Sequence, residues 1–182
     1  MREISLHIMD IAENGITAGA DWIQIVVDEA RNENRLKIEI KDNGKGIPNT
    51  MVDKVIDPFV TTRTTRRVGL GLSLLKAAAE RCDGEFALTS EPGKGTRVKA
   101  IFQYDHIDRA PLGDMASSVI TLIAGNSDVD FVYIHIVDGK NFTMDTRDIR
   151  KELGDISLTN PTVIHHLTQS IKKELGRLKQ KK

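Results

Sequence analysis

The sequence lacks several features that would tie a protein to an oxidising compartment, a metal cluster or a polyanion. It has one cysteine, Cys82, in 182 residues, so it cannot form an internal disulfide and offers no cysteine metal site. Twenty-six basic and 26 acidic residues cancel, so no overall charge favours nucleic acid or a membrane surface. No stretch approaches the ~20 apolar residues of a membrane helix, and the first residues do not resemble a signal peptide. We therefore expect a soluble cytoplasmic protein with neither a nucleic-acid nor a membrane partner.

The residues that are abundant can build a core. Hydrophobic residues make up 40% of the chain, whereas aromatic residues make up 4%, which argues against an interior of stacked aromatic rings. The length suits one mid-sized domain or a domain with a small partner module.

The first hundred residues show helical and strand patterns in turn. Residues 3–17 place apolar side chains three to four positions apart, which predicts an amphipathic helix, while alternation predicts strands further on. The predicted order is a helix over 3–17, strands over 22–29 and 35–41, a short helix from 49, a helix over 70–82, and strands over 85–90 and 96–103. Because short turns join neighbouring strands, we expect an α+β fold whose mixed or antiparallel sheet carries helices on one face.

The pattern restarts in the last part of the chain. Residues 115–125 are predicted to form a helix and 129–137 a strand, followed by a hairpin turn at Asp138 and Gly139 and by further helices. Residues 105–182 are therefore predicted to be a small α+β module. Because a fold of this size is only marginally stable alone, we expect it to pack on the first domain, form a homodimer interface or bind a partner.

Four short stretches carry the polar and glycine residues expected of a ligand site. They are DIAENGITAGA at 10–20, DNGKGIP at 42–48, DPFVTTR followed by GLGLSLLK within 57–76, and EPGKGT at 91–96. Each alone is common. Asp42 could simply form an Asx turn, and GLGL is not a Walker A loop, because the required GKS or GKT is missing.

In this order, the four stretches resemble the ATP-binding domain shared by DNA gyrase, the heat-shock chaperone Hsp-ninety, histidine kinases and MutL (the GHKL superfamily). ENGITAGA is similar to the N box, particularly in its MutL form. PFVTT followed by GLGLSLLK is similar to the lid and second glycine box of histidine kinases. The resemblance covers about residues 1–103. It implies a Bergerat-type α/β sandwich over residues 1–104 that binds ATP with Mg²⁺, followed by the module of residues 105–182.

Asp42 is the candidate for recognising adenine. The base presents an exocyclic amine donor beside a ring acceptor, so a buried carboxylate at a strand end can recognise it directly. Gly44 and Gly46 would let the loop backbone close over the base. Thr96 could support the same contact through its hydroxyl or through a water.

The first predicted helix carries the candidates for metal binding and catalysis. Mg²⁺ prefers oxygen ligands and keeps several waters, so the amide oxygen of Asn14 and phosphate oxygens would suffice, and the resemblance assigns the metal to this position. Asp10 lies four residues earlier, on the same helical face. The resemblance implies a general base there, acting on a water in the gyrase and MutL branch or toward a serine in anti-sigma-factor kinases. Aspartate is one methylene shorter than the family's glutamate, so a solvent or metal-shell role stays open; Glu13 points about 100° away from Asn14.

The predicted phosphate site begins with the third helix. Gly69 and Gly71 allow close backbone approach, and the helix N-terminus from Leu70 offers free N–H groups to phosphate oxygens. The preceding loop supplies hydroxyls and cations that could close over the γ-phosphate as a lid. These loop residues are Thr61, Thr62, Arg63, Arg66 and Arg67. A solvated basic loop would explain their charge but not the PFVTT sequence.

Three activities are compatible with such a site. The leading prediction is a kinase acting on a separate protein, in the manner of anti-sigma-factor serine kinases, which are also short stand-alone forms of this domain. The alternatives are an ATP-gated regulatory module without phosphotransfer and slow ATP hydrolysis in the MutL manner. Histidine autophosphorylation is not expected, because too few residues precede the first helix to form a phosphoacceptor helix pair. We therefore predict a regulatory protein kinase or ATPase in signal transduction.

Overall fold

The computed structural model of the protein describes residues 3–56 and 70–180. In chain order the elements are α1 (Ile4–Thr17), β1 (Trp22–Ala30), a 3-10 turn (Arg31–Glu33), β2 (Arg35–Asp42), α2 (Asn49–Ile56), α3 (Leu70–Arg81), β3 (Glu85–Glu91), β4 (Gly95–Gln103), α4 (Met115–Gly125), β5 (Asp130–Val137), β6 (Lys140–Asp145), α5 (Thr146–Leu153) and α6 (Pro161–Lys179). Within these residues, no helix combines the length and the apolar composition needed to cross a membrane.

The six strands within residues 3–56 and 70–180 form one mixed sheet in the order β3-β4-β2-β1-β5-β6. The pairs β3–β4, β4–β2 and β2–β1 are antiparallel, β5 runs parallel to β1, and β6 is antiparallel to β5. The predicted mixed sheet is confirmed. The element bounds follow the predicted segments closely because each segment has a clear apolar period; the predicted helix over 115–125, for example, is α4.

One face of the sheet is buried beneath helices. In β1 the side chains of Ile23, Ile25 and Val27 are buried, whereas the residues between them are partly exposed. The same alternation continues in β2 and β4, and α1 packs on β1 and β2 while α3 packs on β3 and β4. Each fully buried isoleucine stabilises this layer by about 1.5–3 kcal/mol relative to exposure.

The helix α1 is fixed at its start by the chain that precedes α4. The N–H groups of Ile4 and Ser5 donate to the carbonyl oxygens of Pro111 at 2.9 Å and Leu112 at 2.8 Å. These bonds satisfy two of the four N–H groups that a helix leaves free at its N-terminus. Residues that follow the predicted boundary at 104 therefore fix the start of a helix that precedes it.

The last third of the chain adds β5, β6 and three helices to the same layers. The parallel register places Tyr133 opposite Ile25, and both side chains are buried on the helix-covered face. The helix α4 packs on α1, and α6 packs on β5 and β6. The sheet thus continues across the predicted boundary, and residues 105–180 pack on the residues before them.

Candidate functional site

The carboxyl group of Asp42 lies at the end of β2 on the helix-covered face and is 6% exposed. Its Oδ1 accepts hydrogen bonds from the backbone N–H of Gly44 at 2.9 Å and of Thr96 at 3.3 Å. Burial raises the pKa of Asp42, and these two backbone donors act in the opposite direction. No residue that the structure describes donates to Oδ2, so one oxygen keeps its acceptor capacity for a ligand.

The loop that follows Asp42 is fastened to the β3–β4 hairpin. The N–H of Ile47 donates to Ser90 Oγ at 2.8 Å, and the N–H of Gly93 donates to the carbonyl of Lys45 at 2.8 Å. Gly46 has φ +69°, and a Cβ there would lie 2.2 Å from the carbonyl oxygen of Glu91. The structure therefore places Gly46 against the hairpin, and its predicted contact with a base stays a prediction.

The helix α1 connects the two ends of the predicted site. A Cβ at Gly15 would lie 2.9 Å from Asp42 Cβ, and a Cβ at Gly71 would lie 3.1 Å from Asp10 Cβ. Residues 10 and 15 are separated by about 7.5 Å along the helix axis. Asn14 lies between these two contacts, is half-buried, and makes no side-chain hydrogen bond to the part of the chain that the structure describes.

The start of α3, where phosphate binding is predicted, lies beside Asp10, the predicted general base. Leu70 is the first residue of α3, and only its backbone is described; Gly71 follows directly beside Asp10. Backbone N–H groups of a first helical turn lack helical partners and carry partial positive charge. The remaining predicted residues of this part lie outside the described residues. They are Thr61, Thr62, Arg63, Arg66, Arg67 and Gly69.

Three residues that shape this candidate site were not predicted from the sequence. Ser90 receives the N–H of Ile47, Gly15 makes room for Asp42, and Gly95 allows β4 to approach the Asp42 backbone. A serine at an inward position of an alternating strand was the available signal for Ser90.

A hollow of about 300 Å³ beside the hairpin is a different feature. Its lining includes Asp42, but Lys41, Thr89 and Arg97 also line it, and the strand register directs these three side chains to the opposite face of the sheet. We therefore place the candidate site by the register, on the face where Asp42 meets α1.

The side chains of the described residues do not by themselves form a metal site. Within residues 3–56 and 70–180, no group of three or more histidine, cysteine, aspartate or glutamate side chains could hold a metal ion. A cation at Asn14 would therefore take its other ligands from a nucleotide and from water.

A family model of histidine kinase-, DNA gyrase B- and HSP90-like ATPases matches residues 2–106. The chain belongs to this family. The resemblance predicted from the four motifs is confirmed, and the matched residues contain Asp10, Asn14, Asp42 and Thr96.

Curated relatives align with about half of the chain. The alginate biosynthesis sensor protein KinB of Pseudomonas aeruginosa is 33% identical over 96 residues, which cover 52% of this chain and 16% of KinB. The sensor protein kinase WalK of Staphylococcus haemolyticus is 39% identical over 95 residues, which cover 50% of this chain and 16% of that protein. The chain spans less than a quarter of the length of these relatives, so the similarity identifies a shared histidine kinase-like ATPase domain.

Solved structures of the family share the fold. The MutL ATPase domain of Aquifex aeolicus, solved with ADP, matches with a TM-score of 0.51 at 15% identity, covering 80% of this chain and 63% of that one. The N-terminal domain of a DNA repair protein matches with a TM-score of 0.54 at 17% identity, covering 80% and 53%. Because 80% of the chain exceeds residues 2–106, the shared fold includes part of the last third, and the predicted fold class is confirmed.

Proposed function

We propose that the chain binds ATP with Mg²⁺ and acts in the cytoplasm as a regulatory protein kinase or ATPase on a separate partner protein. The observation that carries this proposal is the buried carboxyl of Asp42, whose Oδ2 has no donor among the described residues. Because Oδ2 keeps its lone pairs free of protein donors, a ligand that brings an N–H donor to it gains a charge-assisted hydrogen bond. Membership of the ATPase family makes the adenine amino group the donor that we assign.

The phosphates are proposed to lie along α1 toward α3. The side-chain oxygen of Asn14 would be one ligand of Mg²⁺, and bound Mg²⁺ would neutralise charge on the phosphates. The backbone N–H groups at the start of α3, including that of Gly71, would donate to phosphate oxygens. Thr61, Thr62, Arg63, Gly69 and Leu70 are proposed to complete this part, as the motif predicts.

Asp10 is proposed to be the general base. Its carboxyl lies beside Gly71, where the γ-phosphate would meet the α3 N-terminus. The carboxylate would accept the proton of an attacking hydroxyl as that oxygen bonds to the γ-phosphorus. The bond from the γ-phosphorus to the bridging oxygen breaks, and ADP leaves. A serine hydroxyl in this role gives a kinase, and a water gives an ATPase.

We assign partner binding or dimerisation to residues 105–182. The support is that β6 forms one edge of the sheet and presents backbone groups that another strand could pair with. Light scattering would show a dimer mass for a homodimer, whereas a monomer mass would favour binding to a different protein.

The phosphoryl transfer is tested with γ-labelled ATP and Mg²⁺, with the protein alone and with an extract of its source cells. Label on another protein supports the kinase, and free phosphate alone supports the ATPase. ATP binding with neither product would contradict phosphotransfer and favour an ATP-gated module.

Nucleotide binding is tested by calorimetry with ADP. We expect Asp42→Asn to weaken ADP binding about 10- to 100-fold, the value of a hydrogen bond to a charged group. Asp155→Asn is the matched control, because Asp155 is exposed and distant in sequence from the motifs. Absence of heat with the wild-type protein at millimolar ADP would refute the proposal.

A further inference from the structure

Three polar side chains form a row across neighbouring strands at the candidate site. Ser90 on β3 lies opposite Thr96 on β4, and Asp42 on β2 lies one step beyond the last recorded pair of β4 and β2. All three occupy inward positions, on the face that the helices cover. The backbone N–H of Thr96 donates to Asp42 Oδ1 at 3.3 Å, which joins the row to the buried carboxyl.

The hydroxyl of Ser90 has three close polar contacts. Ile47 N lies 2.8 Å from Ser90 Oγ, and Gly95 O lies 2.9 Å from it. The third contact is the hydroxyl oxygen of Thr96, at 2.9 Å. A serine hydroxyl has one proton to donate and two lone pairs that can accept.

Only one arrangement of protons gives each of these contacts a donor. The backbone N–H of Ile47 can only donate, so it takes one lone pair of Ser90. The carbonyl oxygen of Gly95 can only accept, so it takes the Ser90 proton. The remaining contact needs a donor, and Thr96 must supply it by donating its hydroxyl proton to Ser90.

This arrangement fixes what Thr96 can offer to a ligand. Its only hydroxyl proton is engaged by Ser90, so the Thr96 oxygen presents lone pairs alone. The neighbouring Asp42 carboxylate also presents lone pairs alone. The row is therefore lined by acceptors on two adjacent strands.

We propose that Ser90 is a specificity-determining positioning residue. Because Ser90 holds the Thr96 hydroxyl proton, the side chains of Asp42 and Thr96 present only hydrogen-bond acceptors to the base. The site therefore selects a 6-amino purine over a 6-oxo purine. The inference rests on the proposed nucleotide site. A 6-amino group has two N–H donors for two neighbouring acceptors. A 6-oxo group has only lone pairs, so a 6-oxo purine offers its ring N1–H as the one donor at this edge and leaves at least one of the two acceptors facing a lone pair, a mismatch that binding sites reject strongly.

The test compares ADP with IDP, which carries an oxygen in place of the 6-amino group. Calorimetry gives the ratio of their affinities for the wild-type protein, Ser90→Ala and Ser90→Thr. In Ser90→Ala the Thr96 hydroxyl can rotate and donate to the 6-oxo group, so we expect the preference for ADP to fall about three- to tenfold. Ser90→Thr keeps the hydroxyl and should keep the wild-type preference.

Thr96→Val provides a second route if Ser90→Ala fails to fold. This variant keeps the backbone N–H that Asp42 accepts and removes the hydroxyl acceptor, so ADP affinity should fall while IDP affinity changes little. A merely structural role for Ser90 would lower both affinities equally, and an unchanged ADP to IDP ratio in Ser90→Ala and Thr96→Val would overturn the inference. Failure of the wild-type protein to bind ADP would instead refute the proposed function on which the inference rests.

Discussion

Asp10 and Asp42 are carboxylates at the two ends of the candidate site, and their surroundings suit them to different tasks. Asp42 is buried and bonded to two backbone N–H groups, so its orientation is fixed. Asp10 is half-buried beside Gly71 and makes no side-chain hydrogen bond within the described residues. A fixed, buried carboxylate suits recognition, whereas a carboxylate with free oxygens beside a helix N-terminus suits proton transfer near phosphate.

We expect Asp10→Asn to reduce phosphoryl transfer about 10²- to 10⁴-fold, because the amide cannot accept a proton from the attacking hydroxyl. ADP affinity should change little, since Asp42 and Asn14 are intact. The measurement is the initial rate with γ-labelled ATP beside calorimetry with ADP. Glu13→Gln is the matched control, since Glu13 is exposed on the same helix; a normal rate in Asp10→Asn would remove Asp10 from the mechanism.

We expect Asp42→Asn to stabilise the nucleotide-free protein at pH 7 while it weakens ADP binding. Burial raises the folded pKa of Asp42, so its contribution to stability is fully present below the unfolded value of 3.8 and is lost as the pH rises through the folded pKa. Asparagine has no charge to desolvate, so it avoids this loss. Urea unfolding from pH 3 to 8 should show the variant's advantage growing with pH. A variant less stable than the wild type at pH 7 would contradict this.

The sequence motifs predicted Asp42 and Asn14 because each has a recognisable neighbourhood along the chain. Ser90 and Gly15 were not predicted, because their roles depend on partners far away in sequence. Ser90 matters through Ile47 and Thr96, and Gly15 matters because it faces Asp42. A local pattern does not contain such contacts.

At the scale of elements, the β3–β4 hairpin and the loop after β2 form a pair of interlocked turns. Gly95 has φ +97°, and a Cβ there would lie 2.0 Å from the carbonyl oxygen of Asp42. Gly93 has φ +79° in the same hairpin, but nothing lies within 4 Å of a Cβ there. A side chain at either position would therefore strain the backbone, but only one at Gly95 would also clash with Asp42.

We expect Gly95→Ala to destabilise the protein by more than Gly93→Ala and to abolish ADP binding. Both variants carry the cost of a left-handed conformation, about 1–2 kcal/mol, but only Gly95→Ala also forces β4 away from Asp42. Urea unfolding and ADP calorimetry measure the two effects. Equal losses of stability in both variants would show that the close approach of β4 to Asp42 does not contribute to the free energy of unfolding.

The helices and strands could be predicted because an apolar period is a local property, whereas the pairing of strands that lie far apart in the sequence could not. The pattern of residues 22–29 predicts a strand with one buried side, and β1 has that form. It does not say that β5, more than 100 residues later, runs parallel beside it. The apolar pattern therefore divides the chain at residue 104 without showing that β5 pairs with β1.

At the scale of the whole molecule, a buried polar network fastens β5 to β1. His135 Nε2 lies 2.8 Å from Glu29 Oε1, and the Tyr133 hydroxyl lies 2.6 Å from His135 Nδ1. The Tyr104 hydroxyl donates to Glu29 Oε2 at 3.0 Å. Glu29 belongs to the family-matched residues and His135 to the last third, so the network ties the two parts of the chain together.

We expect Glu29→Gln to lower the free energy of unfolding at pH 7 by on the order of 3 kcal/mol, because it removes the charged member of a buried, hydrogen-bonded network. Burial opposes ionisation of Glu29, but hydrogen bonds from His135 and Tyr104 outweigh it and lower its pKa to about 2 from 4.5. A depressed folded pKa stabilises the protein above the unfolded value, and this contribution is lost as the pH falls through the folded value. The difference between wild type and variant should therefore shrink between pH 4.5 and pH 2.

Asp28→Asn is the control for this experiment, measured by urea unfolding over the same pH range. Asp28 is the neighbouring acid on β1, and its ion pair with Arg35, at 3.5 Å, lies on the partly exposed face of the sheet. Such a pair contributes about 0–1 kcal/mol, so its loss should be small. If the two variants lose the same stability, the network does not stabilise the pairing of β5 with β1. Apolar packing between Ile25, Tyr133 and their neighbours would then be what stabilises this pair.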